Sequence, residues 1–390
     1  MRKIILLGAT GSIGKSTLEV VDAHRDAVEL VGVAANVRWR ELAAIAKKYG
    51  VKNVAIFDEA AAAEARASGD FPAGTRFFVG AEGLEEIATL AEANLVITAV
   101  VGTLGLKPTL AAIRAGKDVA VASKEILVLA GRFVMAAARE RGVKILPMDS
   151  EHNAIFQCIG SEPARRVDRI ILTASGGAFR DFTLEQMAKV SPADALTNPN
   201  WSMGPKVTVD SSSMANKGLE LIEATWLFDV PESRIDIVVH PQSVVHSMVK
   251  FTDGSILAQL APPSMTFPIQ HCIFWPERPA GTRPSLDFSR ALSLEFRAPD
   301  YEKYKCLRLA RACSRAGGVA PAVFNAANEV AVAAFLDEKI PYLAIPEIIE
   351  GALAKIPARE PADLNDVLAA DALARRVAAE ETLRAAKPGA

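Results

Sequence analysis

Short apolar runs alternate with longer segments of helical spacing over the first 150 residues of the chain. The runs that predict buried strands cover residues 3–7, 29–34, 53–57, 95–100, 118–122 and 144–147. The segments between them, such as residues 40–49 and 107–115, are rich in Ala and Leu. Continuous apolar strands separated by helices indicate a parallel sheet that is covered on both faces. The pattern predicts a doubly wound, Rossmann-like α/β domain over residues 1–149, with ligands at the carboxyl ends of its strands.

The pattern changes after residue 150. Strands are predicted for residues 169–173, 206–209, 235–240, 244–251 and 255–260, and a helix for 214–228. Thr252-Asp253-Gly254 predicts a hairpin turn. Helical spacing returns in residues 326–336, 345–356 and 364–386, the last with Asp363 as N-cap. We therefore expect a central α/β catalytic domain over 150–275, a proline-rich linker over 276–300 and a C-terminal helical domain over 301–390.

Composition excludes several classes of partner. The 390 residues carry a formal net charge of −2, which disfavours a nucleic acid or an anionic membrane bound through bulk charge. The four cysteines form no CxxC pair, which disfavours a disulfide framework or a structural zinc site. No apolar run approaches the roughly 20 residues needed to cross a bilayer. We expect a cytoplasmic protein that acts on a small molecule.

Three glycines mark a candidate nucleotide site. Gly8, Gly11 and Gly14 follow the first predicted strand and open a helix. Such glycines let the backbone approach a pyrophosphate, whose charge then meets the amides of the helix N-terminus. The spacing is GxxGxxG rather than GxGxxG, so a glycine-rich turn without a nucleotide stays the alternative.

The end of the second predicted strand favours NADP(H) over NAD(H). A site for NAD(H) expects an acidic residue there, but Asn36-Val37-Arg38 and the residues up to Arg40 contain none. Two arginines are present instead, and a guanidinium suits the additional phosphate of NADP(H). Arg38 is the first candidate for that contact and Arg40 the second; two solvated charges are the alternative.

A pair of carboxylates follows the sixth predicted strand. Asp149 and Glu151 stand two residues apart and can direct oxygen atoms at one hard cation such as Mg²⁺ or Mn²⁺. His152 could complete the cluster, although a core or capping role is the preferred interpretation. Solvated loop charges are the alternative for the acidic pair.

A third acidic residue lies on the helix predicted for 214–228, where Ser213, Asn216, Lys217 and Glu220 share one face. Ser211, Asn216 and Lys217 offer hydroxyl, amide and ammonium donors that suit a phosphate at a helix start. Glu220 lies one turn further, about 5 Å away. A ligand with a phosphate at one end and metal-chelating oxygens at the other fits this spacing; an exposed polar face is the alternative.

Two loops complete the candidate site. Residues 174–179 form a Ser-Gly-Gly loop that could donate hydrogen bonds to the same phosphate. Residues 196–206 have the composition of a lid, with the indole of Trp201 as an apolar cover. A structural loop anchored by a buried tryptophan is an equally ordinary interpretation of the second segment.

Together these segments resemble the 1-deoxy-D-xylulose 5-phosphate reductoisomerases over essentially the whole chain. The most diagnostic are Asn216-Lys217-Gly218-Leu219-Glu220 and Asp149-Ser150-Glu151. The segments that carry the resemblance are 8–17, 101–108, 122–125, 148–153, 175–179, 198–204, 210–223, 240–246 and 326–335.

The resemblance implies an NADPH-dependent oxidoreductase and isomerase that uses Mg²⁺ or Mn²⁺. It would rearrange and reduce 1-deoxy-D-xylulose 5-phosphate to 2-C-methyl-D-erythritol 4-phosphate, a step towards isoprenoid precursors. Asp149, Glu151 and Glu220 would bind the metal. A homodimer is also implied, through the strands between residues 235 and 260.

Further roles follow from the same resemblance. Lys124 and Glu151 would be catalytic, and with Ser150 they would contact the reacting part of the substrate. The substrate phosphate would be held by Ser175, Ser211, Asn216 and Lys217, with Asn198 and Glu220 as further substrate contacts. The cofactor would be lined by Thr10, Gly11, Ser12, Ile13, Asn36, Val37, Arg38, Ser123, Glu125 and Gly204.

The chain departs from the family's usual pattern at three places. Asn198 replaces a histidine in the lid motif, Ser123 replaces an asparagine, and Asn36-Val37-Arg38 moves the cation by one residue. None of these removes a proposed metal ligand. Two other functions remain open from the sequence: an NADP-dependent semialdehyde or homoserine-type dehydrogenase, which needs no three-carboxylate site, and a non-catalytic NADPH-binding protein.

Overall fold

The computed structural model describes residues 1–198, 201, 203–289 and 291–386. The chain forms two compact units. The first comprises Met1–Ile126, Arg132–Asn153 and Ser264–Ser285. The second comprises Leu127–Gly131, Ala154–Pro263 and the described residues from Leu286 onward.

The first unit is built on a seven-stranded parallel sheet. Its strands are β1 (Arg2–Leu7), β2 (Val28–Ala35), β3 (Asn53–Ile56), β4 (Arg76–Val79), β5 (Leu95–Thr98), β6 (Asp118–Val121) and β7 (Ile145–Pro147). Their order is β4-β3-β2-β1-β5-β6-β7, which confirms the predicted doubly wound sheet. The strand β4 was missed because it lies at the edge of the sheet, where only Phe78 is buried.

The order of the sheet reverses between β1 and β5, which pair side by side. In open α/β sheets, ligands bind at such a switch point, outside the carboxyl ends of the strands. Helices connect the strands: α1 (Ser12–Ala23), α2 (Trp39–Tyr49), α3 (Glu59–Ser68), α4 (Gly80–Ala88), α5 (Leu106–Arg114), α6 (Glu125–Arg141) and α7 (Ser150–Ile159). The helices predicted for 40–49 and 107–115 are thus confirmed to within one residue.

The second unit contains a mixed four-stranded sheet, of order β11-β10-β8-β9. Its strands are β8 (Val167–Ala174), β9 (Ile235–Val239), β10 (Val245–Phe251) and β11 (Ile256–Leu260). β10 runs antiparallel to β8 and β11, whereas β8 and β9 are parallel. The predicted hairpin turn is confirmed: the amide of Gly254, whose φ is +88°, donates to the carbonyl of Phe251 at 2.9 Å.

The remaining helices are α8 (Leu184–Met187), α9 (Pro192–Ala195), α10 (Pro205–Ser213), α11 (Ala215–Phe228), α12 (Thr266–Phe274), α13 (Lys305–Ala316), α14 (Ala320–Leu336), α15 (Ala344–Lys355) and α16 (Leu364–Ala385). All but α12 belong to the second unit. Most residues of α14 are buried, and helices that are apolar on every side take such central positions. The predicted N-cap Asp363 accepts a hydrogen bond from the amide of Asp366 at 2.9 Å and is confirmed.

The strand predicted for residues 206–209 is wrong, because these residues lie in α10. Val207, Thr208 and Val209 are β-branched, which favours strands in isolation. Gly204 at the N-cap and Pro205 in the first turn start a helix here, since the fixed φ of proline suits that position. Tertiary context overrides the local propensity of the three residues.

The four cysteines are free thiols. Burial raises the pKa of Cys158 to about 11 and that of Cys306 and Cys313 to about 12. Cys272 is fully buried, and its pKa is raised further in the same direction for the same reason. Among the described residues, no helix combines the length and apolar character that a bilayer crossing requires.

Candidate active site

The corner between β1 and α1 is shaped by two glycines that cannot be replaced. Gly8 has a φ of +92°, and a Cβ on it would lie 2.2 Å from the carbonyl oxygen of Ala99. A Cβ on Gly14 would lie 2.4 Å from the carbonyl oxygens of both Gly8 and Ala9. The amides of Gly8 and Ala9 donate to the carbonyl of Ala34 at 3.0 and 2.8 Å, which fixes the corner to the end of β2.

The second glycine of the motif differs from the other two. Gly11 is the N-cap of α1, and a Cβ there would meet only the carbonyl oxygen of Gly8, at 3.4 Å. The first amides of a helix have no partner within the helix and suit an anion. Thr10 is buried, whereas Ser12 is exposed and Ile13 half-buried. The corner therefore offers an open cradle at the start of a helix, which fits the pyrophosphate of a dinucleotide.

The two candidate arginines after β2 have different surroundings. Arg38 is the N-cap of α2, and its Nη1 lies 3.7 Å from Oε1 of Glu41. The guanidinium of Arg40 stacks over the Trp39 ring at 4.2 Å and lies 4.0 Å from Oε2 of Glu64. The buried Trp39 donates its indole N–H to the same Glu64 at 3.1 Å. Arg40 is thereby engaged in the α2–α3 packing, which favours Arg38 as the phosphate contact. Asn36 and Val37 are exposed beside it.

The carboxyl end of β6 carries three buried polar residues, Ser123, Lys124 and Glu125. The Ser123 hydroxyl donates to the carbonyl of Val100, which links the ends of β5 and β6. Lys124 is the N-cap of α6, and its Nζ lies 2.6 Å from Oδ2 of Asp149. Neither charged side chain of this ion pair is more than 12% exposed, so the attraction is weakly screened.

The predicted acidic pair lies at the corner between β7 and α7. The amide of Glu151 donates to Oδ1 of Asp149 at 3.3 Å, and the Ser150 hydroxyl donates to Oε2 of Glu151 at 2.6 Å. His152 is fully buried, with Nδ1 3.7 Å from Oδ1 of Asp149. Two carboxylates, one hydroxyl and the ammonium of Lys124 thus meet within the first unit.

A buried polar clamp that the sequence did not reveal holds this corner. The Asn153 amide and the Cys272 thiol both donate to the carbonyl of Pro147, at 2.9 and 3.1 Å. Nδ1 of His271 lies 3.2 Å from Nδ2 of Asn153. Burial lowers the pKa of His271 to about 4, so its ring is neutral at pH 7 and can accept this hydrogen bond.

In the second unit, Gly177 brings two candidate phosphate loops together. Its φ is +67°, and a Cβ on it would lie 2.5 Å from both the Ser211 carbonyl oxygen and the Ser212 Cα. The amide of Gly177 donates to the hydroxyl of Ser175 at 3.3 Å. The loop that carries Ser175 therefore packs directly on the α10 backbone at Ser211. Both serines were predicted from the sequence, but the contact between their segments was not. The glycine pair after β8 is the feature of the sequence that could have indicated it.

The third group of predicted residues lies where α10 meets α11. Met214 joins the two helices with a φ of +60°. The Asn216 side-chain amide donates to Oε1 of Glu220 at 2.5 Å, and the Lys217 ammonium donates to Oε2 of the same carboxylate. Lys217 is 3% exposed and Glu220 is 1% exposed. The helix face predicted from the spacing is present for Asn216, Lys217 and Glu220, with its ammonium and its carboxylate both buried. Placing Ser213 on that face was wrong, because Ser213 ends α10 before the left-handed Met214 separates the two helices.

A cavity of about 660 Å³ lies beside these loops, a size suited to a small ligand. It is lined by Gly177, Ala178, Arg180, Asp181, Leu196, Thr197, Asn198, Trp201, Met203 and Thr208. Oδ1 of Asn198 accepts a hydrogen bond from the Trp201 amide at 3.0 Å, and the Trp201 ring meets the His246 ring edge-on. Gly204 is the N-cap of α10. Pro199, Asn200 and Ser202 of the predicted lid lie outside the described residues.

Two exposed apolar side chains at the end of β5 were also missed. Val101 is 83% exposed and Leu104 is 52% exposed, at the edge of the sheet where dinucleotides bind. Apolar side chains at such an edge can contact the ring of a cofactor. The signal in the sequence was the apolar run that continues past the predicted strand.

Comparison with known proteins assigns most of the chain to one family. Residues 4–131 match the model described as 1-deoxy-D-xylulose 5-phosphate reductoisomerase. Residues 145–228 match the 1-deoxy-D-xylulose 5-phosphate reductoisomerase C-terminal domain, and residues 260–377 the DXP reductoisomerase C-terminal domain.

Full-length relatives carry the same name. The reductoisomerases of Heliobacterium modesticaldum and Pseudomonas fluorescens are 50% and 49% identical, each over 97% of both chains. A solved structure of the Zymomonas mobilis enzyme with NADPH is 45% identical, with a TM-score of 0.91 over 98% of this chain and 99% of the other. A reductoisomerase with NADPH, fosmidomycin and magnesium is 39% identical, with a TM-score of 0.93 over 98% of both chains.

The packing of Gly177 generates a stability prediction. Gly177→Ala is expected to destabilise the protein because its Cβ meets the Ser211 backbone and its φ is positive. The matched control is Gly254→Ala in the same unit, which has a φ of +88° and no atom within 4 Å of its Cβ. The control should cost about 1–2 kcal/mol of unfolding free energy. Gly177→Ala should cost about 1–3 kcal/mol more. Denaturant unfolding measures both, and equal losses would contradict the close contact.

Proposed function

We propose that this chain, which belongs to the 1-deoxy-D-xylulose 5-phosphate reductoisomerase family, converts 1-deoxy-D-xylulose 5-phosphate to 2-C-methyl-D-erythritol 4-phosphate with NADPH and a divalent metal ion. The product feeds isoprenoid precursor synthesis. The observation that carries the proposal is the identity of 50% over 97% of both chains. The solved reductoisomerase complexes with NADPH, magnesium and fosmidomycin support the cofactors and the small-molecule ligand.

The residues of the first unit suit NADPH, which supplies the hydride when bound. The helix start at Thr10, Gly11, Ser12 and Ile13 would receive the pyrophosphate, because Gly11 leaves the space that a side chain would fill. Arg38 would contact the 2′-phosphate, beside Asn36 and Val37. Ser123 and Glu125 would line the nicotinamide end of the site, and the family resemblance implies Gly204 as a further cofactor contact.

Three carboxylates suit a hard divalent ion. On the resemblance to the family we assign the metal to Asp149, Glu151 and Glu220, since Mg²⁺ and Mn²⁺ prefer carboxylate oxygens. Glu220 is almost completely buried, and its pairing with Lys217 offsets the cost of burying the charge. A bound ion supplies Lewis-acid polarisation of the substrate carbonyl.

The chain's own residues bind and orient the substrate. Ser175, Ser211, Asn216 and Lys217 would hold the phosphate, which lets binding energy far from the reacting carbons orient them. Lys124 would stabilise negative charge that develops on the substrate oxygen during the rearrangement. Glu151 would serve as proton acceptor beside the reacting hydroxyl, held in place by Ser150.

The loop 196–206 would close over the substrate and exclude water from the aldehyde that the rearrangement forms. Trp201 would provide the apolar cover, and Asn198 would donate a hydrogen bond to the substrate. The Asn198 side chain also orders the loop, because it accepts a hydrogen bond from the Trp201 amide.

A cytoplasmic homodimer is the proposed state of the protein. β11 lies at one edge of the second sheet, and its Ile256 and Leu257 are each 51% exposed. An exposed apolar edge strand is a template for pairing with another chain. A second copy of this strand would cover both the edge and the apolar side chains.

The dependence of turnover on a divalent metal ion tests the function directly. NADPH oxidation with 1-deoxy-D-xylulose 5-phosphate should require Mg²⁺ or Mn²⁺ and should stop when the ion is chelated. Glu220→Gln should lower kcat about 100-fold or more, because Lewis-acid polarisation supplies several kcal/mol and each 1.36 kcal/mol is tenfold in rate. NADPH affinity should persist. Glu350→Gln, an exposed carboxylate, is the control. Turnover of another substrate without metal would favour a semialdehyde or homoserine-type dehydrogenase.

Cofactor preference tests the role of Arg38. Arg38→Ala should weaken NADPH binding about tenfold and leave NADH binding nearly unchanged, because only NADPH carries the 2′-phosphate. Arg40→Ala is the matched control, since the same guanidinium two residues later stacks on Trp39. Titration by fluorescence measures all four affinities. A larger effect from Arg40→Ala would transfer the role to that residue.

Substitutions of Asn198 test its role in the loop 196–206. Asn198→His should retain or improve turnover, because Nδ1 of an imidazole can accept the Trp201 amide hydrogen bond that the asparagine oxygen accepts. Asn198→Ala removes that acceptor and should raise the KM for the substrate. Steady-state kinetics compare the two variants with the wild type. A collapse of kcat in Asn198→His alone would contradict this account of the loop.

A further inference from the structure

Asp210 is a buried carboxylate to which no role has been given. It lies in α10 directly before Ser211 and is 1% exposed. Its Oδ1 accepts a hydrogen bond from the Asn328 side chain of α14 at 2.8 Å, and its Oδ2 lies 2.9 Å from Nζ of Lys206. A buried charge is expensive even when it is paired, so its presence beside a substrate contact calls for a reason.

A second anchor follows Ser211 directly. The Ser212 hydroxyl and the Tyr342 hydroxyl are 2.9 Å apart, and both side chains are buried. Burial raises the pKa of Tyr342 well above its usual value, so the phenol stays neutral. Asp210 and Ser212 therefore both attach α10 to the C-terminal helical part of the second unit, on either side of Ser211.

The two anchors determine the direction in which the residue between them, Ser211, points. Successive residues of an α-helix are rotated by about 100°, at 3.6 residues per turn. Ser211 therefore points away from the mean direction of Asp210 and Ser212. The two anchors lie about 160° apart around α10 and together fix its rotation, and the rotation decides where the Ser211 hydroxyl lies.

The same carboxylate also contacts the end of the lid. Lys206 lies in the first turn of α10, at the last position of loop 196–206, and reaches Asp210 one turn later. The carboxylate that anchors α10 to α14 is therefore also paired within its own helix.

We propose that Asp210 is a positioning residue, which through Asn328 fixes the rotation of α10 so that Ser211 meets the substrate phosphate. This inference rests on the proposed function, since it assigns Ser211 to the phosphate. It predicts that changes at this buried pair act on phosphate binding rather than on the chemical step.

The test uses the pair itself. Asn328→Asp places two carboxylates opposite each other, and Asp210→Asn with Asn328→Asp restores a hydrogen bond in the reverse sense. Asn328→Asp should raise the KM for 1-deoxy-D-xylulose 5-phosphate about tenfold, as expected for a buried polar group that loses its partner. The inhibition constant of inorganic phosphate, competing with substrate, should rise by the same factor. kcat and NADPH affinity should change little, and the double variant should recover most of the loss.

A matched control separates positioning from general stability. Arg375 of α16 forms ion pairs with Glu329 of α14 and with Asp371 of α16, and Arg375→Gln breaks both. It should lower the melting temperature without changing the inhibition constant of phosphate. If Asn328→Asp lowers the melting temperature in the same way and leaves KM and that constant at their wild-type values, the positioning role is overturned.

Two further experiments cover the cases in which a variant does not fold or the wild type does not turn over the substrate. If Asn328→Asp does not fold, Asp210→Asn, which keeps the size of the side chain, replaces it with the same expected direction. If the wild type does not turn over the substrate, the proposed function fails by itself. Calorimetric titration of wild type and variants with inorganic phosphate then decides the link between Asp210 and Ser211, and equal affinities would overturn it.

Discussion

Each unit contributes a carboxylate that is largely shielded from solvent and paired with a lysine of the same unit. Asp149 pairs with Lys124 in the first unit, and Glu220 pairs with Lys217 in the second. Neither carboxylate nor either lysine could be buried alone, because an isolated charge loses too much hydration. Pairing keeps the carboxylates as potential metal ligands and the ammonium groups as potential partners of substrate oxygens. The proposed chemistry depends on these two pairs before any ligand binds.

The strands that the sequence predicted best are those whose burial produces a continuous apolar run. Strands such as β1 and β5 are buried on both faces and appear as uninterrupted apolar runs, so their positions were found to within a few residues. The edge strand β4 leaves no such run and was missed. Residues 206–209 have the side chains of a strand but lie in α10, since Gly204 and Pro205 start a helix that tertiary contacts then stabilise.

The residues of the candidate site also divide into those that the sequence predicted and those that only the structure revealed. Residue types and spacing were sufficient to name Asp149, Glu220 and Lys217, because hard cations and phosphates select particular side chains. They did not reveal Gly177, Asn153 or the anchor at Asp210, whose roles depend on contacts between segments that are distant in the chain. A resemblance to a family supplies side-chain roles, but only the packing shows what holds those side chains in place.

Three of the four native thiols are buried and Cys158 is half-buried. The pKa of each is raised, which makes the protein a convenient host for a spectroscopic reporter. A thiol that is kept protonated reacts slowly with maleimides and related reagents, because the thiolate is the reactive species. A single cysteine introduced at an exposed position of the loop 196–206 would therefore carry a fluorophore selectively, against a background of unreactive native residues. Such a label would test the proposed closure of the loop without first removing any wild-type cysteine.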